Sequence, residues 1–510
     1  MPLVKCTQIE DGESITISGY LAGNPVIYLY VSEDRQKIYY NDEWESVFNF
    51  AAQSDGMQLD YEALSTMTIC SVPPVPKSVW NNIYTLQSGD VAKITRCEDH
   101  LSVTFNVDFP FLWGRDNDQV ADDFTNYNLF STLAELWSPL LDRQGDIFLF
   151  LSAGKDSATI AHVIDRLGMA DRTRAMTLAS PGEKDESEAA RYVARKCGIN
   201  QHSILRIDAQ RASKEQRLRC RRLMESSPFP CLDNLALVYG YIDPDLIPKN
   251  ANVVDGSGND IYIGHVPSSR ENARQTYHSP WRFIGWIDSI FESDSLVRYH
   301  ARRVFKTRSE HASLEGGHSA KSARRIISNF VPPYAMLDSI ESACPRADYF
   351  TFRGAIRGRL TDQEMFTRKI RNASDVFGWN LILPWADAKT AECVHSLGEA
   401  FLFDRYGFRN KVPLREGLFK NIGLDSDKMG KRFFRFNAWE SNKMLQDSWD
   451  WPWASTASLC TDAELVLNRI RFNAEHTNGT RGGMLRQLYS RTFQLMSWLA
   501  LNRFDRSRNY

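Results

Sequence analysis

The stretch DIFLFLSAGKDSATIAHVIDRLG, residues 146–168, decides the fold. Its first six residues form a mostly apolar run far too short to span a membrane and suited to a buried strand of a parallel sheet. Its last eleven read as an amphipathic helix that stops at Gly168. Between the two lie Ser152, Ala153, Gly154, Lys155, Asp156 and Ser157. Small residues at a strand-to-helix turn let backbone N–H groups approach an anion, and the helix start adds further donors and a favourable dipole. Ser152 and Ser157 supply hydroxyls, Lys155 supplies charge, and Asp156 can hold Mg²⁺ against phosphate oxygens. A Walker A loop is excluded: its first glycine falls on Leu149, and Asp156 stands where Ser or Thr belongs. The plainer alternative is a strand-to-helix turn capped by serine. The pattern Ser-x-Gly-x-Asp-Ser between a buried strand and a helix favours a phosphate or pyrophosphate loop.

Downstream, AMTLAS (175–180) reads as a strand, DESEAARYVARKCG (185–198) as a helix closed by Gly198, and HSILRI (202–207) as a third strand. This β-α-β-α-β order predicts an α/β fold with a doubly wound parallel sheet. Upstream, DDFTNYNLFSTLAELWSPLLD (122–142) has helical apolar spacing. Residues 1 to about 115 read as β-rich, with ESITISGY, VIYLYV, KIYY and VAKIT separated by turn residues and by the Pro-rich SVPPVPKSVW. Beyond about residue 265 the chain turns mostly helical. A division at 118/119 follows, with a small β-rich unit (1–118) ahead of the α/β unit (119–510). In VVDGSGNDIYIGH (253–265) an apolar approach meets a Gly-Ser-Gly turn and then Asp260. It matches neither the dinucleotide fingerprint nor an EF-hand loop.

At 510 residues the chain is long enough for several units, and its formal charge of −2 disfavours a general nucleic-acid binder. The nine cysteines are scattered with no C-x-x-C pair, against a disulfide framework or a zinc ribbon. The N-terminus has no apolar h-region, so a soluble, cytoplasmic protein with reduced thiols is expected. Between Arg298 and Arg325, eight basic residues face Glu310 and Glu315. That segment reads as solvated helix faces or as a dock for an anionic substrate.

Ser152–Ser157 resembles the SGGxDS pyrophosphate loop of ATP pyrophosphatases, with Ala153 in place of one glycine. Residues 255–260 resemble the SGEGADE-type loop of asparagine synthetases, with Ser257 between the glycines. GEKDESEAARYVARKCGINQH (182–202), with Asp185, Glu186 and Glu188, continues the family order. So does WNLILPWAD (379–387), where Asn380 and Ile382 replace the family's Glu and Arg, a change that argues against aspartate as substrate. NKVPLREGLFKNIG…DKMGKRFFRF (410–436) is similar to the family's lysine-bearing segment. The resemblance implies an adenine nucleotide alpha hydrolase-like PP-loop domain that uses ATP and Mg²⁺. In it Ser152, Ala153, Gly154, Lys155, Asp156 and Ser157 would cradle pyrophosphate, and Gly256, Ser257 and Gly258 would line the nucleotide pocket. Met176 and Leu178 would pass near adenine, and Asp156 and Asp260 would be the metal ligands. Lys431 would stabilise the adenylate and the tetrahedral intermediate, with Lys411 and Lys428 as fallbacks.

The N-terminal region resembles the later half of the family's glutaminase domain. The chain begins Met1-Pro2 and Cys6 cannot become N-terminal by simple Met removal, so an inactive remnant is implied. The expected activity is an AMP-forming carbon–nitrogen ligase acting on a small-molecule, sugar-acid or peptide carboxylate. Nitrogen would come from ammonia, an amine or a separate glutaminase, and the ligase would act off the membrane, with a homodimer as the candidate assembly. Alternatives are a peptide or β-lactam-type cyclase of the same family, a PP-loop RNA-modifying enzyme, and a non-catalytic assembly relative.

Overall fold

The computed structural model describes residues 13–111, 129–180, 186–276, 283–304, 307–313, 317–344, 347–429, 436–453 and 462–502. Its centre is a five-stranded, wholly parallel sheet. The strands are β7 (Ile147–Phe150), β8 (Thr173–Ala179), β9 (Gln201–Arg206), β10 (Asn252–Val254) and β11 (Asn380–Ile382), in the spatial order β11-β10-β7-β8-β9. The chain builds outward from β7 in one direction through β8 and β9, then returns to lay β10 on its other side. The topological switch therefore lies between β7 and β10, where open α/β sheets form a crevice beyond the strand ends.

Alternation along β7 explains why its run is apolar throughout. Ile147 and Leu149 point into one core with Leu133 and Trp137 of α3 (Leu129–Leu141), Ile160 and Ile164 of α4 (Lys155–Arg166), and Val193 of α5 (Ser187–Lys196). Phe148 and Phe150 point into a second core with Met176, Tyr239, Val253, Tyr489 and Phe493. Successive strand side chains face opposite sides, so a sheet covered on both faces leaves no polar position inside.

The N-terminal region holds two antiparallel three-stranded sheets, β3-β2-β4 and β1-β5-β6. These use β1 (Ser14–Ser18), β2 (Ile27–Val31), β3 (Ile38–Asn41), β4 (Ile83–Leu86), β5 (Asp90–Cys97) and β6 (His100–Val107). Ile17, Leu29, Val31, Leu86, Ala92 and Ile94 fill the space between them. The outer face of β2 carries Tyr28 and Tyr30, which pack with Phe48, Trp80, Phe229 and Trp498. The region is less purely β than its sequence suggests, because it also contains α1 (Trp44–Ser54) and α2 (Tyr61–Cys70). Every residue of α2 from Ala63 to Cys70 is buried, so the helix shows no polar face and no helical period.

The two regions are joined by buried polar contacts. Arg359 pairs with Asp90, Gln87 donates to Glu364, and Arg371 donates to the Gly23 carbonyl at 2.8 Å. No helix of the described residues is long and apolar enough to cross a membrane.

Candidate functional site

β7 ends at Phe150 and α4 starts at Lys155, with Gly154 as an extended N-cap. The loop between them is knotted by its own hydroxyls. Ser157 Oγ accepts from the Ser152 N–H at 3.0 Å, Ser152 Oγ accepts from the Gly154 N–H at 3.0 Å, and the two hydroxyls lie 2.9 Å apart. The Ala153 N–H donates to the buried Glu186 carboxylate at 3.3 Å. A Cβ on Gly256 would sit 3.1 Å from the Ser157 nitrogen, so the loop after β10 lies directly against the first turn of α4. Gly258 has φ +109°, and a Cβ there would meet the Ala386 Cβ at 2.6 Å. Only glycine fits both the conformation and the space.

Where the two loops meet, Lys411 reaches in from the start of the helix Val412–Ile422. Its own backbone is left-handed (φ +56°), and its side chain is 3% exposed. Its ammonium donates to Asp156 Oδ1 at 2.8 Å and to Asn259 Oδ1 at 2.8 Å, and pairs with Asp260 Oδ1 at 2.7 Å. Three donors meet three acceptors, so the ammonium is saturated. Asn259 Nδ2 in turn donates to Asp156 Oδ1 at 2.7 Å. Burial alone would lower the Lys411 pKa, but the Asp156 and Asp260 charges outweigh it and hold the group above an ordinary lysine. Lys155, half-buried next in line, moves the other way. Burial first, then the Lys411 and Arg415 charges, push it down to about 8.

A second constellation lies behind Asp260, which opens the short helix α7 (Asp260–Ile263). A Cβ on Gly264 would fall 2.2 Å from Asp260 Oδ1, so α7 folds back on its own first residue. A Cβ on Gly358 would fall 2.4 Å from the Ile261 Cα, which brings the π-helical segment Gly358–Thr367 against α7. Asp362 on that segment thereby reaches Asp260 and His265, and ligating atoms of all three lie within 4.8 Å of one another. Burial, then the Asp260 charge, raise Asp362 well above the usual carboxylate range. Burial pushes the His265 imidazole down to about 3. Trp385, fully buried, donates its indole N–H to the Asp156 carbonyl at 3.2 Å and closes the floor.

The structure thus brings together Ser152, Ala153, Gly154, Lys155, Asp156, Ser157, Gly256, Ser257, Gly258, Asp260 and Lys411. Met176 is buried in the core beneath the loop, with Leu178 half-buried beside it. Ser257 Oγ donates to Asp255. Lys431 and Asp185 lie outside the described residues. Lys428 stays at the surface beside Asp425, away from the cluster. Ile382 is a core residue, and Asn380 bonds the Asn250 carbonyl. In the basic segment, Arg298 pairs with buried Asp288, Arg308 with Glu341, and Lys321 and Arg325 with Glu292. Arg298 and Arg308 are spent inside the fold, whereas the Lys321 and Arg325 pairs lie at the surface. Sequence reasoning missed Asn259, His265, Asp362 and Trp385. Asn259 and His265 lie within the quoted 253–265 stretch, while nothing local marks Asp362.

A search of curated proteins finds no match to this chain. Residues 140–229, which run from the end of α3 past α6 (Lys214–Ser226) and include the Ser152–Ser157 loop, match the family model described as asparagine synthase. That match supports an asparagine synthetase-like relation, and with it an ATP-dependent amide ligase at the level of the family.

Proposed function

We propose that this protein is an AMP-forming carboxylate–amine ligase whose reaction centre is the crevice between β7 and β10. The observation that carries the reading is the buried Lys411 ammonium shared by Asp156 and Asp260 on the two loops of that crevice. The residues present fit a magnesium–polyphosphate. Two carboxylates offer the hard oxygen ligands Mg²⁺ prefers, and the glycines at 256 and 258 let the loop that carries Asp260 lie against the start of α4 and Ala386. Asp156 and Asp260 would hold the ion, which when bound neutralises charge on the pyrophosphate leaving group.

The chain's own groups supply the rest. The start of α4, with Gly154, Lys155 and Ser157, binds the anion. In doing so it exchanges the Ser152–Ser157 contacts for contacts to phosphate. Lys411 remains charged throughout and opposes the negative charge that builds as a substrate carboxylate oxygen bonds to the α-phosphorus and pyrophosphate departs. An amine then bonds to the acyl carbon, AMP leaves, and the nitrogen gives up a proton. In this reading Lys431 stabilises the adenylate and the tetrahedral intermediate, and the N-terminal sheets are a scaffold related to a glutaminase domain. The internal hydrogen bonds of the Ser152–Ser157 loop and the Glu186 contact to Ala153 favour a second reading, a non-catalytic relative whose loop is already satisfied.

Carboxylate-dependent exchange of labelled pyrophosphate into ATP separates the two. Exchange in the native protein that disappears in Asp156→Asn and Lys411→Ala is the expected result. Absence of exchange for every carboxylate and cell extract would favour the second reading, and absence of ATP binding as well would overturn the assignment of Ser152–Ser157 as a phosphate loop.

A further inference from the structure

We infer that Asp260, His265 and Asp362 form a binding site for a divalent transition-metal ion of the Mn²⁺ class, distinct from the magnesium that would accompany ATP. Three observations carry it. The first is geometry. Ligand atoms around 2.0–2.2 Å from one ion lie roughly 3–4.5 Å from each other, and the imidazole and the two carboxylates converge within 4.8 Å.

The second is an unmet demand. Asp362 is 2% exposed, and its Oδ2 has no hydrogen-bond partner. Among the described residues it forms no ion pair. His265 Nε2 is likewise out of solvent and without a partner. Burying a carboxylate with no partner is costly, so native proteins pair it or give it to a metal. Around it stand two further carboxylates, Asp156 and Asp260; the Lys411 ammonium they share is already saturated, and Lys369 acts on Asp362 only through space, with no ion pair among the described residues.

The third is the backbone. His265 is held at φ +53°, a left-handed conformation a histidine seldom adopts. Asp362 sits in a π-helical turn, a geometry that recurs at functional sites because it re-aims side chains. Glycines at 264 and 358 allow the two backbones to approach closely enough for the three groups to meet. Strain concentrated around three convergent ligands is what a built site requires.

The donor set selects the ion. One imidazole nitrogen with two carboxylates suits Mn²⁺, Fe²⁺ or Zn²⁺ better than Mg²⁺, which takes oxygen ligands. Asp260 has two carboxylate oxygens and can serve both sides, with Oδ1 engaging Lys411. The inference does not depend on the ligase reading, because the ion is bound without nucleotide.

The test is titration of the chelator-treated full-length protein with Mn²⁺ alone, followed by loss of the free-ion EPR signal and by electron spin-echo detection of coupled ¹⁴N. Mn²⁺ is the probe because it avoids the thiols. About one ion per chain, with nitrogen coupling, is expected. His265→Gln should abolish the coupling, and both it and Asp362→Asn should weaken binding roughly tenfold or more. Asp156→Asn should leave affinity within about threefold. Absence of binding in the native protein overturns the inference, as does binding unchanged in both site variants or lost equally in Asp156→Asn. If Asp362→Asn fails to fold, nitrogen coupling in the native protein and its loss in His265→Gln decide the matter.

Discussion

Lys411 illustrates how one side chain can organise two loops. Its ammonium is the only cation in contact with either Asp156 or Asp260 among the described residues, and it is buried with them. Removing one partner of such a group leaves the others uncompensated, at a cost of about 3–5 kcal/mol. Lys411→Met should therefore lower the urea midpoint strongly at pH 7. Parallel urea denaturation curves of the native protein and the variant check this. Lys155 gives a pH signature. Its pKa of about 8 lies below that of a free lysine, so it is charged at neutral pH and loses its proton as pH rises past 8. A bound polyphosphate would pull that pKa back up, so binding takes up a proton above pH 8. Affinity for pyrophosphate, followed by calorimetry, should be flat below about pH 7 and fall as pH rises through 8. In Lys155→Gln it should be weaker throughout and lack that inflection.

At the scale of elements, the site depends on backbones that approach where no side chain could intervene. Gly358 is the clearest case, since the obstacle to a Cβ is the Ile261 backbone, which has no rotamer to change. Gly358→Ala should destabilise by about 1–3 kcal/mol as the π-helical segment is pushed from α7. Mn²⁺ affinity should fall with it, because Asp362 moves out of register; thermal melting and the EPR titration read the two effects separately. The same elements show what a sequence can reveal. β7, α4, β8, α5 and β9 were legible because each has the periodicity of its class, a continuous apolar run or an amphipathic stripe, with a glycine stop. The Ser152–Ser157 loop was legible because its residue types are dictated locally. α2 was not, since burial on every side erases its period. Nor was Asp362, whose role comes from a π-turn and from a contact made across 102 positions of sequence to Asp260.

For the whole molecule, the segment Gly358–Phe377 is the joint between the two regions. One side presents Asp362 to the crevice, and the other presents Arg359, Glu364, Arg368 and Arg371 to the N-terminal sheets. Asp90 and Arg359 are both buried. Asp90→Asn alone should cost about 3–5 kcal/mol, whereas Asp90→Leu combined with Arg359→Met should recover much of it. A double-mutant cycle read by thermal unfolding checks this, and a single shared transition is expected because the pair belongs to both regions at once.

The outer face of β2 closes against Trp498, whose ring lies 5.5 Å from Trp80. On the ribosome these two tryptophans emerge roughly 400 residues apart, which at about 5–20 residues per second is on the order of half a minute. For that interval Trp80 lacks the Trp498 ring, although Phe48 already packs on it and Phe229 reaches Tyr28 and Phe48 much sooner. The nascent chain thus presents a sticky surface that its own last helix must eventually cover. A slow refolding phase that appears only when residues 479–501 are present is the expected kinetic counterpart of a contact that looks like ordinary core packing.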